Sequence, residues 1–110
     1  MKLQYKNAGV YPAYTLSGTE LTLAERLTLD LATLAQDEPV HLIVSADREG
    51  NLALGFGWRY VAELDLPAKP FRMEKIGYTD DFGYPALRKA YLPYPAEDAV
   101  LTLWAEKEGN

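Results

Sequence analysis

The sequence predicts an α+β fold: a mainly antiparallel sheet of about six or seven strands with one main helix, about residues 22–36, packed on it. Three observations carry this expectation. Val40 to Ala46 is a run rich in β-branched residues. Leu52, Leu54, Phe56, Trp58, Tyr60, Ala62, Leu64 and Leu66 alternate without a fault. Leu23, Leu27, Leu31 and Leu34 fall within one narrow arc when residues are set about 100° apart.

Taken in order, residues 2–6 and 13–16 are short alternating segments joined by Asn7-Ala8-Gly9 and Tyr11-Pro12, and they suggest a first hairpin. In the stretch 22–36, Thr22, Glu25, Arg26, Asp30, Thr33 and Gln36 take the side opposite the leucine arc, with Leu29 misplaced. Thr22 and Glu25 stand at capping-box spacing, and Pro39 lies just beyond the end. Leu27, Leu29 and Leu31 also alternate as a strand would. A pair of strands here is the alternative, and it turns the whole chain into an all-β sandwich.

Strand 40–46 ends in the polar turn Asp47-Arg48-Glu49-Gly50-Asn51. The alternating run from Leu52 to Leu66 spans about 15 residues, against a usual strand of about 5–6. Gly55 and Gly57 are the natural places for it to bend. Residues 71–78 read as a further strand, Thr79 to Gly83 as a turn, and Pro85 to Tyr91 as a short helix with proline at its first position. Residues 99–105 close the chain as a strand.

A length of 110 residues suits one domain, 1–110, with one core. Apolar residues make up 48% and charged residues 25%, an ordinary globular composition. The chain has no cysteine, so disulfides, thiolate nucleophiles and cysteine-based zinc sites do not arise. Lys2 is followed by no apolar run of the kind a secretory signal needs, and nothing approaches the roughly 18 consecutive apolar residues of a membrane helix. These features predict a cytoplasmic protein without a membrane partner.

Net charge is −5, spread over both halves of the chain. Nucleic-acid binding generally leaves a basic excess, so nucleic acid is not an expected partner despite Lys69, Arg72, Lys75, Arg88 and Lys89. No cofactor is expected. Gly55-Phe56-Gly57 lacks the third glycine of a dinucleotide fingerprint and continues as a strand. The acidic turns at Asp47/Glu49 and Asp80/Asp81 match no calcium loop.

Catalytic chemistry is sparse. His41 is the only histidine, and Ser45 on the same strand face stands about 13 Å away at strand rise, too far for a hydrogen bond. An enzyme built on His41 needs an acid or hydroxyl brought to it from elsewhere in the chain.

Interaction chemistry is richer. Eight tyrosines favour loops, and Tyr-Pro-Ala occurs at Tyr11, Tyr84 and Tyr94. Proline stiffens such loops while tyrosine offers broad contact area at low entropic cost. The leading expectation is therefore a non-enzymatic protein-interaction or assembly module. Its surface lies around residues 78–95, with Tyr78, Tyr84, Tyr91 and Tyr94 contacting a protein partner or a second copy. The alternative is a small-molecule or carbohydrate-binding domain. Its site lies over the small-residue face Ala53, Gly55 and Gly57, edged by Arg59.

Overall fold

Leu21, Leu23 and Leu29 reach the core from strands and not from a helix. In the computed structural model, which describes residues 1–79 and 81–108, residues 20–30 form an antiparallel pair, β4 (Glu20–Leu23) and β5 (Leu27–Asp30). This corrects the α+β expectation: the chain is mostly β, and the one α-helical turn among the described residues, α1, covers only Leu31–Leu34. Thr22, expected to cap a helix, instead faces Thr28 across the pair, with the hydroxyls 3.1 Å apart.

The turn between β4 and β5 explains why the helical pattern misleads. Leu23 and Leu27 are cross-strand partners around three turn residues, so they stand four apart, the spacing of one helical turn. Arg26 N donates to Leu23 O at 3.0 Å, and both central residues, Ala24 (φ 52°) and Glu25 (φ 56°), lie in the left-handed region. Hairpin turns with two positive φ angles normally announce themselves as Asn-Gly or Asp-Gly. Ala-Glu gives no such signal.

Strand β3 (Tyr14–Ser17) completes a meander, β3-β4-β5. The expected first hairpin does not form, because β1 (Lys2–Tyr5) runs parallel to β11 (Val100–Leu103) at the far end of the chain. The larger sheet has the order β1-β11-β8-β6-β7, with β6 (Val40–Ala46), β7 (Leu52–Leu54) and β8 (Arg59–Leu66). Leu21, Leu23, Leu29 and Leu31 from the meander side join Val44, Ala62, Leu64, Leu66, Leu101 and Leu103 from the larger sheet in one buried cluster. Facing sheets about 10 Å apart share a core in this way. A two-residue ribbon, β2 (Gly9–Val10) with β12 (Lys107–Glu108), lies beside them.

The long alternating run is two strands. Both β7 and β8 pair antiparallel with β6, on its opposite edges, so residues 55–58 must cross β6 to join them. Phe56 and Trp58 ride on this crossing at 82% and 63% exposure, which removes them from the expected buried row. A register shift opposite Val44/Ser45 then inserts Val61 as a bulge, so that Val61 and Ala62 are both buried.

Residues 85–91, expected as a short helix, are strand β10 (Pro85–Tyr91), paired with β9 (Phe71–Thr79). Leu87 and Tyr91 are four apart, a spacing that places two residues on one face of a strand as well as of a helix. This hairpin joins neither sheet, and none of its described residues is buried. It accounts for much of the elongated shape, 68 × 23 × 20 Å, with a radius of gyration of 18.5 Å. A compact chain of this length measures about 13 Å.

Candidate functional site

The β9–β10 arm is built as a free-standing two-stranded ribbon. Strand β9 alone is about 27 Å long at strand rise. Alternation gives one face Phe71, Met73 and Lys75 opposite Tyr91, Lys89 and Leu87, and the other face Arg72 and Glu74 opposite Ala90 and Arg88. The second face is held by charge: Arg72 Nη2 lies 2.8 Å and Arg88 Nη2 3.5 Å from the Glu74 carboxylate. These arginines hold the Glu74 carboxyl below its ordinary value, chiefly through the Arg72 hydrogen bond.

The first face is apolar and cationic. Lys89 Nζ sits 4.6 Å from the Phe71 ring centroid, and Phe71 meets Tyr91 edge-on at 6.5 Å. Of the thirteen large apolar side chains exposed among the described residues, eight lie in 71–92: Phe71, Met73, Tyr78, Phe82, Tyr84, Leu87, Tyr91 and Leu92.

Asp37 pins the root of the arm. Its carboxylate accepts from Lys89 Nζ at 3.0 Å and from Tyr91 Oη at 2.8 Å. The Lys89 hydrogen bond, then the Tyr91 one, hold the Asp37 carboxyl below the usual range, while Lys89 and Tyr91 are both raised.

The four tyrosines therefore divide. Tyr78 and Tyr84 stand near the tip, Tyr91 at the root, and Tyr94, beyond the arm, is half-buried. Tyr94 packs on the core and donates to Pro67 O at 2.7 Å, and burial raises its phenol. Tyr11 of the first Tyr-Pro-Ala also packs on the core, its ring centroid 4.5 Å from that of Tyr5 and tilted 43° to it. Asp80, named with Asp81 in the acidic stretch of the sequence, lies outside the described residues.

On the small-residue face Ala53, Gly55 and Gly57 are all exposed, with open space over Gly55 and close backbone contact at Gly57. Gly57 rests on β6, where a Cβ would come 2.8 Å from Ser45 Cβ and 3.2 Å from Ala46 O. Gly55 takes φ +106°, its amide donates to Ile43 O, and its carbonyl accepts from Ser45 Oγ at 2.6 Å. These glycines serve the crossing of β6. Arg59 lines a cleft with Val10, Arg26 and Glu106.

His41 is met by the acids it lacked in sequence. Nδ1 lies 2.6 Å from Asp65, its cross-strand partner, and Nε2 lies 3.2 Å from Glu63. The imidazole is raised above its ordinary value, first by the Asp65 hydrogen bond. With a carboxylate at each ring nitrogen, neither nitrogen faces a nucleophile. The two acids address opposite edges of the ring, and among the described residues no group of three or more such side chains is placed to hold a metal ion. Glu63 also accepts from Trp104 Nε1 at 2.8 Å.

Beside this triplet runs a groove of about 360 Å³, with Val40, Leu66, Pro67 and Val100 between Asp65 and Asp98. Sequence reasoning missed this groove, since Asp65 and Asp98 are distant in the chain and meet only through the sheet order. Among the described residues no helix is long and apolar enough to cross a membrane. No protein-family model matches the chain, and neither the curated proteins nor the solved structures gave a match.

Proposed function

We propose that this chain is a non-enzymatic association module whose β9–β10 arm docks on a protein surface. The observation that carries the reading is the arm itself, a ribbon outside the core whose residues 71–91 hold seven of the thirteen large apolar side chains exposed among the described residues. Two-stranded ribbons are marginal in water unless something covers them, and unpaired strand edges invite pairing. A concentrated exposed apolar surface is a recognised mark of a binding face.

Charge favours a second copy of the chain as the partner. Residues 71–91 hold four basic and three acidic residues, with all four cations and only Glu74 on the two strands, whereas the rest of the chain carries seven basic and thirteen acidic residues. Like charge opposes arm-on-arm contact and favours arm-on-body contact. The groove between Asp65 and Asp98 offers an apolar floor with two carboxylates, complementary to Leu87 and Lys75 of an incoming arm.

Sedimentation velocity over a concentration series tests this reading. The wild type is expected to self-associate, and a Met73→Ser, Tyr78→Ser, Leu87→Ser variant to sediment as a monomer with an unchanged melting curve. A wild type that stays monomeric at all concentrations removes the second copy as partner. Equal association by wild type and variant removes the arm as the contact.

A further inference from the structure

We infer that Arg59 and Arg26 form a binding site for an oxyanion, the carboxylate or phosphate group of a small molecule. Arg59 opens β8 opposite Ala46, on the side of the sheet that faces the core. Its Nη1 is buried and has no hydrogen-bond partner, the only side-chain nitrogen or oxygen so placed among the described residues. Arg59 enters no ion pair among the described residues either. Burying part of a guanidinium without a counter-charge is costly, and native structures nearly always supply one.

The same cleft, of about 460 Å³, is lined by Val10, Arg26, Arg59 and Glu106. Arg26 reaches it from the β4–β5 turn and is steadied by a 3.0 Å bond from its Nη1 to Gly50 O. Two arginines, one from the β4–β5 turn and one from β8, thus line one cleft, and planar guanidinium forks are suited to bidentate binding of carboxylate or phosphate. The volume falls within the roughly 300–1,000 Å³ typical of small-molecule sites, so it suits an organic anion better than a bare ion.

Glu106 lines the cleft but pairs with neither arginine within 4.0 Å. It decides between two accounts of Arg59. If Glu106 is the counterion, neutralising it harms the fold. If the site awaits an anion, neutralising it removes a repulsion and tightens binding. This inference does not rest on the arm.

Calorimetric titration with inorganic phosphate and, separately, with citrate tests it. Saturable one-site binding is expected for at least one probe. Phosphate without citrate assigns a phosphate-bearing ligand, and the reverse a carboxylate-bearing one. Arg59→Met should weaken binding about ten- to a hundred-fold, as expected for loss of a charge-assisted pair. Arg26→Gln, on an exposed turn, gives the same direction and serves if the Arg59 variant fails to fold. Glu106→Gln should bind several-fold more tightly. The inference is overturned by no saturable binding of either probe up to about 10 mM, where affinity falls below a useful level. Unchanged affinity in both arginine variants overturns it, and so does marked destabilisation by Glu106→Gln in ligand-free buffer.

Discussion

Gly57 lies so close to Ser45 that a Cβ on the glycine would stand 2.8 Å from the serine Cβ. The backbone of residues 55–58 rests directly on strand β6, and the bond from Ser45 Oγ to Gly55 O ties the crossing down. Gly57→Ala must push this crossing off β6. Overpacking of this kind typically costs about 1–3 kcal/mol, and chemical denaturation should read that loss. Gly55→Ala meets no atom within 4 Å but is strained by its φ of +106°, so it too should destabilise, by about 1 kcal/mol.

The β4–β5 turn makes the opposite prediction. Ala24 and Glu25 hold positive φ without the residues that favour it. Left-handed backbone at a non-glycine position costs of order 1 kcal/mol or more, and Asn-Gly suits such turns best. Ala24→Asn with Glu25→Gly should therefore raise the denaturation midpoint with no change in the slope. A lower midpoint would mean that the turn is held by contacts of Ala24 or Glu25 and not merely tolerated.

His41 gives a pH dependence with a definite sign. Its pKa is raised in the folded chain, first by the Asp65 hydrogen bond and against a smaller desolvation. The associated stabilisation is fully present below the unfolded value of about 6.5 and is lost as pH rises through the folded value. With the side chain 48% exposed, solvent screens the effect and keeps it small. An NMR titration of the imidazole should give a midpoint above that of a histidine in an unfolded peptide. Asp65→Asn should lower it, and an unmoved midpoint would dissociate the shift from Asp65.

The Asp37 clamp connects arm and body. Lys89 and Tyr91 both end on this one carboxylate, so Asp37→Ala should free the arm root while the core remains intact. Amide exchange should quicken in Phe71 to Met73 and Lys89 to Tyr91 and stay unchanged in β6 and β8. Because the Asp37 pKa is lowered, the clamp holds above the ordinary carboxylate range and is lost as pH falls through the folded value. Exchange in the wild-type arm root should quicken over that acid window.

Much of the strand content was readable from residues alone. Val40 to Ala46 and Leu64 to Leu66 carry patterns that only a half-buried sheet explains, and both are strands with the expected faces inward. Where the reading failed, the local signal was degenerate. Leu23 and Leu27, or Leu87 and Tyr91, stand four apart and satisfy either period. The residues that decide, Ala24 and Glu25, adopt a turn their identities do not advertise.

The candidate sites divide along the same line. Tyrosine-rich chemistry near 78–91 was visible in composition, because residue type alone sets what a side chain offers to a partner. Its division into an exposed tip, a clamped root at Asp37 and a half-buried tyrosine at position 94 depends on which strands pair. The meeting of His41 with Asp65 and Glu63, and the placing of Arg59 and Arg26 on one cleft, belong wholly to the tertiary structure. Each brings together residues more than twenty positions apart, and sheet register, set by burial of one face across the whole chain, is what makes them neighbours.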